Sequence, residues 1–412
     1  MLANGSLGRA SAPSGAPTGR HEAVELRDGG SRYGGEGVLS AVANVADVLG
    51  PAIVGMDAVD QRTVDMRLIE LDGTPDKQRL GGNAVLAVSM AISQAAAAAR
   101  GLPLYRHIAD LAGVHPIIPL PMVSIISGRL PPGGPLDIQD ILAIPIEARS
   151  FTEALEHAWS IHAAVGERLQ SEGHQPMVAD AGGWAPQVSE EEAMSWVADA
   201  IRDGAAAPGA IAIDVAATHF FWPGDGYYHL EADGAVVSAR DMVELLKSWS
   251  TQVPLVSIED GLAHDDWRGW RILTAELGQS LQLIGDDLFT TNLARLSRGI
   301  EQHVANAVAV KLSQAGTVTE TLDVMARAKA SGYRTVVSAR SGETEDTFLA
   351  DFAVGSAAGQ IRVGSLTRSS RLAKWNQLLR IEEDLGPEAY VGGAALLLTA
   401  GTTKGLGTPR RP

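Results

Sequence analysis

The 412-residue sequence contains no cysteine. It therefore has no disulfide framework, no thiolate ligands for zinc or iron–sulfur clusters, and no cysteine nucleophile. Basic residues are also scarce, because 33 lysines and arginines face 49 aspartates and glutamates and leave a formal charge of -16. A surface of that sign repels phosphate backbones and anionic lipid, so we expect neither a nucleic-acid-binding protein nor a membrane-surface protein.

A long, strongly apolar run is missing as well. The most hydrophobic long stretch, residues 84–99, is mostly alanine and is interrupted by Ser89, Ser93 and Gln94. It falls short of the roughly 20 strongly apolar residues that span a bilayer. The first 15 residues also lack the basic end and apolar core of a secretory signal. We therefore expect a soluble, cytoplasmic protein.

What the sequence does contain is abundant glycine, with 45 residues placed mostly between periodic segments. At about 100–200 residues per domain, the length suggests more than one domain. A turn-rich stretch at residues 114–121 is the best candidate for a boundary. We predict a mixed first domain over residues 1–113, a second domain over 114–400 and a disordered tail over 401–412.

Beyond residue 114, short apolar runs typical of strands alternate with helix-like segments. The runs are residues 122–126, 211–215, 255–258, 281–284, 307–310, 335–337 and 360–363, and the helix-like segments are 191–201, 239–249, 291–303, 318–331 and 343–355. This alternation indicates an α/β protein with a parallel sheet covered by helices. A repeat of about 25–30 residues favours a closed (β/α)8 barrel, with an open doubly wound sheet as the alternative. No glycine-rich dinucleotide fingerprint follows a strand.

Charged residues stand where these predicted strands end. They are Asp214, Glu259, Asp260, Asp286, Asp287, Lys311 and Arg340. In a parallel barrel all strand C-termini open onto one face, so the charges would converge there. A single acidic strand end is more simply a helix cap or a surface loop, but a succession of charged ends favours a site.

Carboxylates that converge on one point repel one another unless a cation lies among them. An all-oxygen ligand set of this kind suits Mg²⁺, which keeps some water ligands for a substrate to replace. A lysine beside such a site can act as a base, while the metal stabilises an enediolate formed from a carboxylate substrate.

Other candidate features are weaker. His157 and His162 are five residues apart, and the pair His21–Glu22 has no second histidine at the zinc spacing, so we interpret these histidines as core or surface residues. Residues 14–19 form a glycine-containing loop that could close over an anionic substrate or could be an ordinary turn.

Several longer segments are specific enough to indicate a family. They are APSGAPTG (12–19), ELRDG (25–29), LDGT (71–74), GGNAVLAVS (81–89), GLPLYRHIADL (101–111), SIEDGL (257–262), GDDLFTTN (285–292), SGETED (341–346) and LAKWNQLLRIEEDLG (372–386). Over about residues 8–390 the sequence resembles enolase, the glycolytic 2-phosphoglycerate hydro-lyase. The resemblance implies an N-terminal α+β capping domain, a C-terminal (β/α)8 barrel of the TIM-barrel type with a mixed opening topology, and a homodimer or higher homo-oligomer. From the resemblance we expect a first domain that lacks the family's opening strands.

The resemblance also implies roles for individual residues. The family's three Mg²⁺ carboxylates fall on Asp214, Glu259 and Asp286, its general-base lysine on Lys311, a second active-site lysine on Lys374, and its substrate-binding groups on Gln139, Arg340 and Ser341. Most of these positions are the charged strand ends described above.

The departures from the family pattern mostly concern the groups that assist the loss of hydroxide. Ala181 replaces the glutamate that helps to expel the leaving hydroxide, and Ala339 replaces a histidine. Pro131 falls at the position of the mobile-loop histidine, Asp140 replaces a neighbouring glutamate, and Pro17 replaces the serine that reaches a second Mg²⁺. The groups that bind one metal ion are retained, and so is the base, whereas the groups that assist dehydration are lost.

Three hypotheses follow. The first is a Mg²⁺-dependent enzyme of an enolpyruvate-like or 2-phosphoglycerate-like carboxylate with altered chemistry, of the carboxyphosphonoenolpyruvate synthase type, which forms a C–O–P bond in phosphonate biosynthesis. In it, Lys311 and Lys374 would move protons, and Arg340 with Arg129 or Arg20 would hold phosphoryl oxygens. The second is an ordinary but inefficient enolase, and the third is a non-catalytic binding protein.

Overall fold

The computed structural model describes residues 1–15, 19–128, 136–203, 209–232 and 234–397. The predicted tail and the sequence candidates Pro17, Arg129 and Pro131 lie outside these residues.

Within the described residues, eight strands close into a barrel. The barrel strands are β1 (Leu120–Ser127), β2 (Asp140–Ile144), β3 (Ala210–Asp214), β7 (Leu255–Glu259), β8 (Gln282–Gly285), β9 (Ala307–Val310), β10 (Arg334–Ser338) and β11 (Gln360–Gly364), and three short strands, β4 (Phe221–Trp222), β5 (Tyr227–His229) and β6 (Val236–Val237), form a separate small sheet. Around the barrel the order is β1-β11-β10-β9-β8-β7-β3-β2. Strand β2 runs antiparallel to both β1 and β3, whereas the other neighbours are parallel. The expected enolase-like barrel with a mixed opening topology is confirmed.

Helices surround the barrel and make up most of the first domain. Before the barrel the α-helices are α1 (Leu39–Asn44), α2 (Gly50–Ile53), α3 (Gln61–Asp72), α4 (Gly82–Ala99) and α5 (Leu104–Ala112), with a π-helical turn at Val45–Leu49; those of the second domain are α6 (Phe151–Ser171), α7 (Glu190–Asp203), α8 (Ala239–Gln252), α9 (Trp267–Leu277), α10 (Leu293–Gln302), α11 (Leu312–Ala315), α12 (Val318–Ala330), α13 (Phe348–Gly355) and α14 (Ser369–Leu385). Short polar side chains fix several helix starts, because Ser150, Ser238 and Thr317 each accept a hydrogen bond from a backbone N–H in the first turn.

The bottom of the barrel is filled by side chains. The apolar ones are Leu120, Met122, Leu142, Ile144, Ala212, Ile284, Ala307, Ala309 and Val336, all of them buried. Two glutamines lie beside them, and the Gln282 and Gln360 amides hydrogen-bond each other at 2.8 and 2.9 Å. The interior is thus packed at this end, and the cavity lies at the opposite end, where the strands finish.

The first domain docks on the barrel through buried polar contacts. Asp65 in α3 accepts a hydrogen bond from the backbone N–H of Thr319 at 2.9 Å, and the buried ammonium of Lys77 lies 2.9 Å from a carboxylate oxygen of Glu320. Helix α4 is apolar and long enough to cross a membrane, but 61% of it is buried in the protein. Its burial is that of a core helix between the two domains.

The N-terminal segment reaches the open end of the barrel. Ser14 forms an isolated antiparallel bridge with Gly342, which follows β10. The buried Gly15 lies directly against the Arg340 guanidinium, so that no Cβ fits at this position. The first domain therefore contributes one wall of the cavity at the barrel mouth.

Candidate active site

A cavity of about 260 Å³ lies at the C-terminal ends of the barrel strands. Among the residues that line it are six of the predicted site residues, namely Gln139, Asp214, Asp286, Lys311, Arg340 and Ser341. Glu259 is 1% exposed and lies just behind Asp214, to which it is paired across the β3–β7 register. The structure thus brings together the three predicted metal carboxylates and the predicted base.

Arg362, which the sequence analysis did not single out, is at the centre of these charges. It projects from the middle of β11, and its guanidinium binds three carboxylates. Its Nη1 lies 2.6 Å from Asp214 Oδ2 and 3.0 Å from Glu259 Oε2, and its Nη2 donates to Asp140. Burial would lower the pKa of Arg362, but Glu259, Asp214 and Asp140 hold it well above its usual value. Arg362 is therefore a permanent buried cation.

Glu259 is the least satisfied of the carboxylates. Both of its side-chain oxygens are buried and lack a partner in hydrogen-bond geometry, although Oε2 keeps its ion-pair contact with Arg362 at 3.0 Å. Burial, opposed in part by Arg362, raises its pKa to about 8. Burial also raises the pKa of Asp214, whose Oδ2 accepts a hydrogen bond from the Gln139 amide at 3.2 Å. Buried oxygen ligands with unused lone pairs are a set that a hard divalent cation such as Mg²⁺ would satisfy.

Asp286 and Lys311 form the second ion pair of the site. The Lys311 ammonium contacts Asp286 Oδ2 directly, and the Gln314 amide donates to Asp286 Oδ1 at 3.0 Å. Burial would raise the pKa of Asp286, but Lys311 holds it below its usual value. Burial would likewise lower the pKa of Lys311, but Asp286 raises it. Each partner therefore keeps the other charged.

Two further acidic residues lie beside the ion pair of Asp286 and Lys311. Asp260 and Asp287 lie near Asp286, with one carboxylate oxygen of each within 4.8 Å of the others. However, both Asp260 oxygens accept backbone N–H groups, from Asp286 at 3.0 Å and from Asp287 at 2.7 Å. Asp260 has a left-handed φ of 42°, which these bonds hold in place. Its carboxylate positions the Asp286 backbone, and Asp287 lines the cavity.

The far wall of the cavity is basic. The Arg340 guanidinium pairs with Glu22 at 2.6 Å and donates to the Gly15 carbonyl at 3.0 Å. Arg371, also buried and also missed by the sequence analysis, donates to the backbone carbonyls of Arg340 and Ser341 at 2.7 and 2.8 Å. Arg371 therefore positions the segment that presents Arg340 and Ser341.

Two other predicted residues, Lys374 and Arg20, do not line the cavity. Lys374 is completely buried in α14, where its ammonium binds Glu343 at 2.9 Å and the carbonyls of Thr344 and Ser370. Arg20 is exposed and lines a neighbouring groove. The second basic side chain among the carboxylates is Arg362, which occupies the place that we assigned to Lys374. The sequence signal that could have indicated Arg362 is an arginine within the strand-like run Gln360–Gly364.

The two alanines identified from the sequence both face the cavity. Ala181 and Ala339 line it, and neither offers a side-chain proton donor or acceptor. Asp180 and His219 also line the cavity. The site therefore combines concentrated basic and acidic groups with a methyl surface at positions 181 and 339.

Comparison with known families gives two matches that follow one another along the chain. The profile described as "Enolase, N-terminal domain" matches residues 1–108, and the profile described as "Enolase, C-terminal TIM barrel domain" matches residues 115–399.

The first prediction concerns Arg362. Replacing it (Arg362→Met) leaves Asp140, Asp214 and Glu259 without their cation, and we expect a loss of about 3–5 kcal/mol in the free energy of unfolding without Mg²⁺. Added Mg²⁺ should restore more stability to this variant than it adds to the parent, as measured by urea denaturation. Arg371→Met is the matched control, because that buried arginine bonds only to carbonyls here and its loss should not be offset by Mg²⁺. Equal Mg²⁺ stabilisation of parent and Arg362→Met would contradict the assignment.

The second prediction concerns pH. Because the pKa of Glu259 is raised to about 8, its carboxyl group is protonated in the metal-free protein at neutral pH and must lose that proton to bind a metal. We expect the Mg²⁺ affinity to rise between about pH 6 and pH 8 and then to level off. Calorimetry in two buffers of different ionisation enthalpy measures the released proton. Glu259→Gln should bind Mg²⁺ weakly and without this proton release, and an affinity of the parent that does not change with pH would refute the prediction.

Proposed function

The chain belongs to the enolase family, and from that premise we propose that it is a Mg²⁺-dependent enzyme of a phosphorylated three-carbon carboxylate whose chemistry does not include assisted loss of hydroxide. One observation carries the proposal. Ala181 and Ala339 face a cavity in which Asp214, Asp286 and Lys311 converge. Among the described residues, carboxylates that could hold a metal ion and a lysine that could accept a proton meet in this cavity, whereas positions 181 and 339 present only methyl groups.

The metal would be held by Asp214, Glu259 and Asp286. The unused oxygens of Glu259 and the all-oxygen ligand set fit Mg²⁺. When bound, Mg²⁺ supplies positive charge that stabilises an enediolate form of a substrate carboxylate.

Lys311 is the proposed base. Burial lowers its pKa and the ion pair with Asp286 raises it. Any partner that competes for Asp286 therefore shifts Lys311 towards the neutral form, which can accept a proton from the substrate carbon. Lys374 has no such role in this proposal, because its ammonium is bound to Glu343 and to backbone carbonyls.

Arg340 is the proposed ligand of phosphoryl oxygens, with Gln139 and Ser341 beside it. Its guanidinium is presented to the cavity by Arg371 and is neutralised by Glu22, so an anionic substrate group would exchange for the Glu22 carboxylate. Arg129 or Arg20 would add a second basic group; Arg129 lies outside the described residues, and Arg20 lines a neighbouring groove.

The specific reaction that we propose is formation of a C–O–P bond, as in carboxyphosphonoenolpyruvate synthesis. A hydroxyl oxygen of the three-carbon acid would attack the phosphorus of an activated phosphonoformate, and the hydroxyl proton would pass to the neutral form of Lys311. A new P–O bond forms, the P–O bond to the activating group breaks, and that group leaves with the electron pair. Hydroxide departure from C3 need not be assisted in this step, which agrees with the loss of both family side chains.

Assembly and location are proposed on the family alone. We propose a homodimer or a higher homo-oligomer that acts in the cytoplasm on small anionic substrates, without nucleic-acid or membrane partners.

The experiment compares two reactions of the same protein. With Mg²⁺, an activated phosphonoformate and a three-carbon phosphate, ³¹P NMR should show a new C–O–P resonance. With 2-phosphoglycerate alone, phosphoenolpyruvate formation measured by absorbance should be about 10²–10⁴-fold slower than in ordinary enolases, because general acid assistance is missing.

Ala181→Glu is the informative variant, since it returns a carboxyl group to the cavity and should raise the dehydration rate without improving C–O–P formation. Dehydration by the parent at a rate near that of ordinary enolases would contradict the proposal. Slow dehydration without a C–O–P product would instead indicate an inefficient enolase. No product in either assay, together with no Mg²⁺ binding by calorimetry, would indicate a non-catalytic binding protein.

A further inference from the structure

Two histidines and an aspartate lie together beside the cavity, at a place with no role in the proposed reaction. His21 belongs to the N-terminal segment and directly precedes Glu22. His264 and Asp265 lie in the loop between β7 and α9. The N-terminal segment and the barrel therefore meet at this trio.

The known distances within the trio are close to those between ligands of one metal ion. Asp265 Oδ2 lies 3.4 Å from His264 Nε2 and 3.7 Å from His21 Nε2, and the ligand atoms all lie within 4.8 Å of one another. A tetrahedral Zn²⁺ ion with bonds of about 2.0–2.1 Å holds its ligand atoms about 3.3–3.4 Å apart. Little movement would be needed to place an ion among the three.

The outer atoms of two of these side chains are already engaged. His264 Nδ1 lies 3.2 Å from Thr218 Oγ1, which orients the ring with Nε2 towards Asp265. The second oxygen of Asp265, Oδ1, accepts a hydrogen bond from Arg295 at 3.1 Å. Such outer contacts are what orient histidine and carboxylate ligands in metal sites.

His21 supplies an independent indication. Its Nε2 is buried and has no hydrogen-bond partner, although a buried ring nitrogen normally finds one. The ring stands edge-on to that of His264, with 5.7 Å between centroids. Burial lowers the pKa of both histidines, which favours the neutral ring that binds metals.

We propose that His21, His264 and Asp265 form a second metal site, which takes a divalent transition metal of the Zn²⁺ class with water as the fourth ligand. Two imidazole nitrogens and one carboxylate oxygen favour such an ion over Mg²⁺, which prefers oxygen ligands. The site is separate from the carboxylates at the barrel mouth. An ion bound there links the N-terminal segment next to Glu22 to the loop that follows Glu259, and this proposal does not depend on the identity of the reaction.

The test is a Zn²⁺ titration of the full-length protein in excess Mg²⁺, which occupies the all-oxygen site, with a chromophoric chelator as competitor. We expect one tightly bound Zn²⁺ per chain. His264→Gln and His21→Gln should each weaken it by more than the 10–100-fold that loss of an outer partner costs. His115→Gln, at an exposed histidine outside the trio, is the matched control and should leave the affinity unchanged.

Two further measurements keep the test decisive. Zn²⁺ should raise the thermal midpoint of unfolding of the parent and of Asp286→Asn, because an ion that binds only the folded state stabilises that state. It should not raise the midpoint of His264→Gln, which lacks one of the ligands. The visible spectrum of bound Co²⁺ should likewise be lost in His264→Gln. Zn²⁺ binding that survives both histidine substitutions, or that disappears in excess Mg²⁺ or in Asp286→Asn, would overturn the proposal.

Discussion

The interaction on which the rest of the structure depends is the neutralisation of buried carboxylates by Arg362. This one side chain, from the middle of β11, binds carboxylates at the ends of β2, β3 and β7, and it thereby connects the two antiparallel strand pairs to the parallel part of the barrel. Uncompensated charges at this depth would cost several kcal/mol each. The fold can place Asp140, Asp214 and Glu259 side by side because a cation is built in among them.

This arrangement also bears on the chemistry. The mouth of the barrel holds two ion-paired groups, one around Arg362 and one formed by Asp286 and Lys311, and a divalent cation would compete with both basic side chains for their carboxylates. Such an exchange would free positive groups to face an anionic substrate. The alanines at positions 181 and 339 present only methyl groups to the same cavity, so the charged side chains lie beside an uncharged surface at these two positions. The overall acidity of the chain is therefore compatible with anion binding, because the basic groups are gathered at one place.

Much of this organisation could be predicted from the sequence, and the exceptions have physical reasons. The alternation of apolar runs and helices predicted the parallel strands, and the charged strand ends predicted which residues meet, since strand polarity alone brings them to one face. Strand β2 escaped notice because its residues Asp140–Ile144 form one short apolar run next to a proline- and glycine-rich stretch. Arg362 escaped because it stands inside a strand rather than at its end, and Lys374 was assigned to the site because a helix position does not reveal which neighbour its ammonium binds. The trio of His21, His264 and Asp265 could not be recognised from a motif, because its members come from segments about 240 residues apart in the sequence.

The account is tested most directly by a crystal structure of the protein with Mg²⁺ and a three-carbon phosphate. It predicts a metal ion about 2.0–2.1 Å from oxygens of Asp214, Glu259 and Asp286, with the Arg362 guanidinium no longer bridging Asp214 and Glu259, and with the phosphoryl group on Arg340 in place of Glu22. A metal ion bound elsewhere, or carboxylates that remain bound to Arg362 and Lys311 while the substrate occupies the cavity, would contradict it.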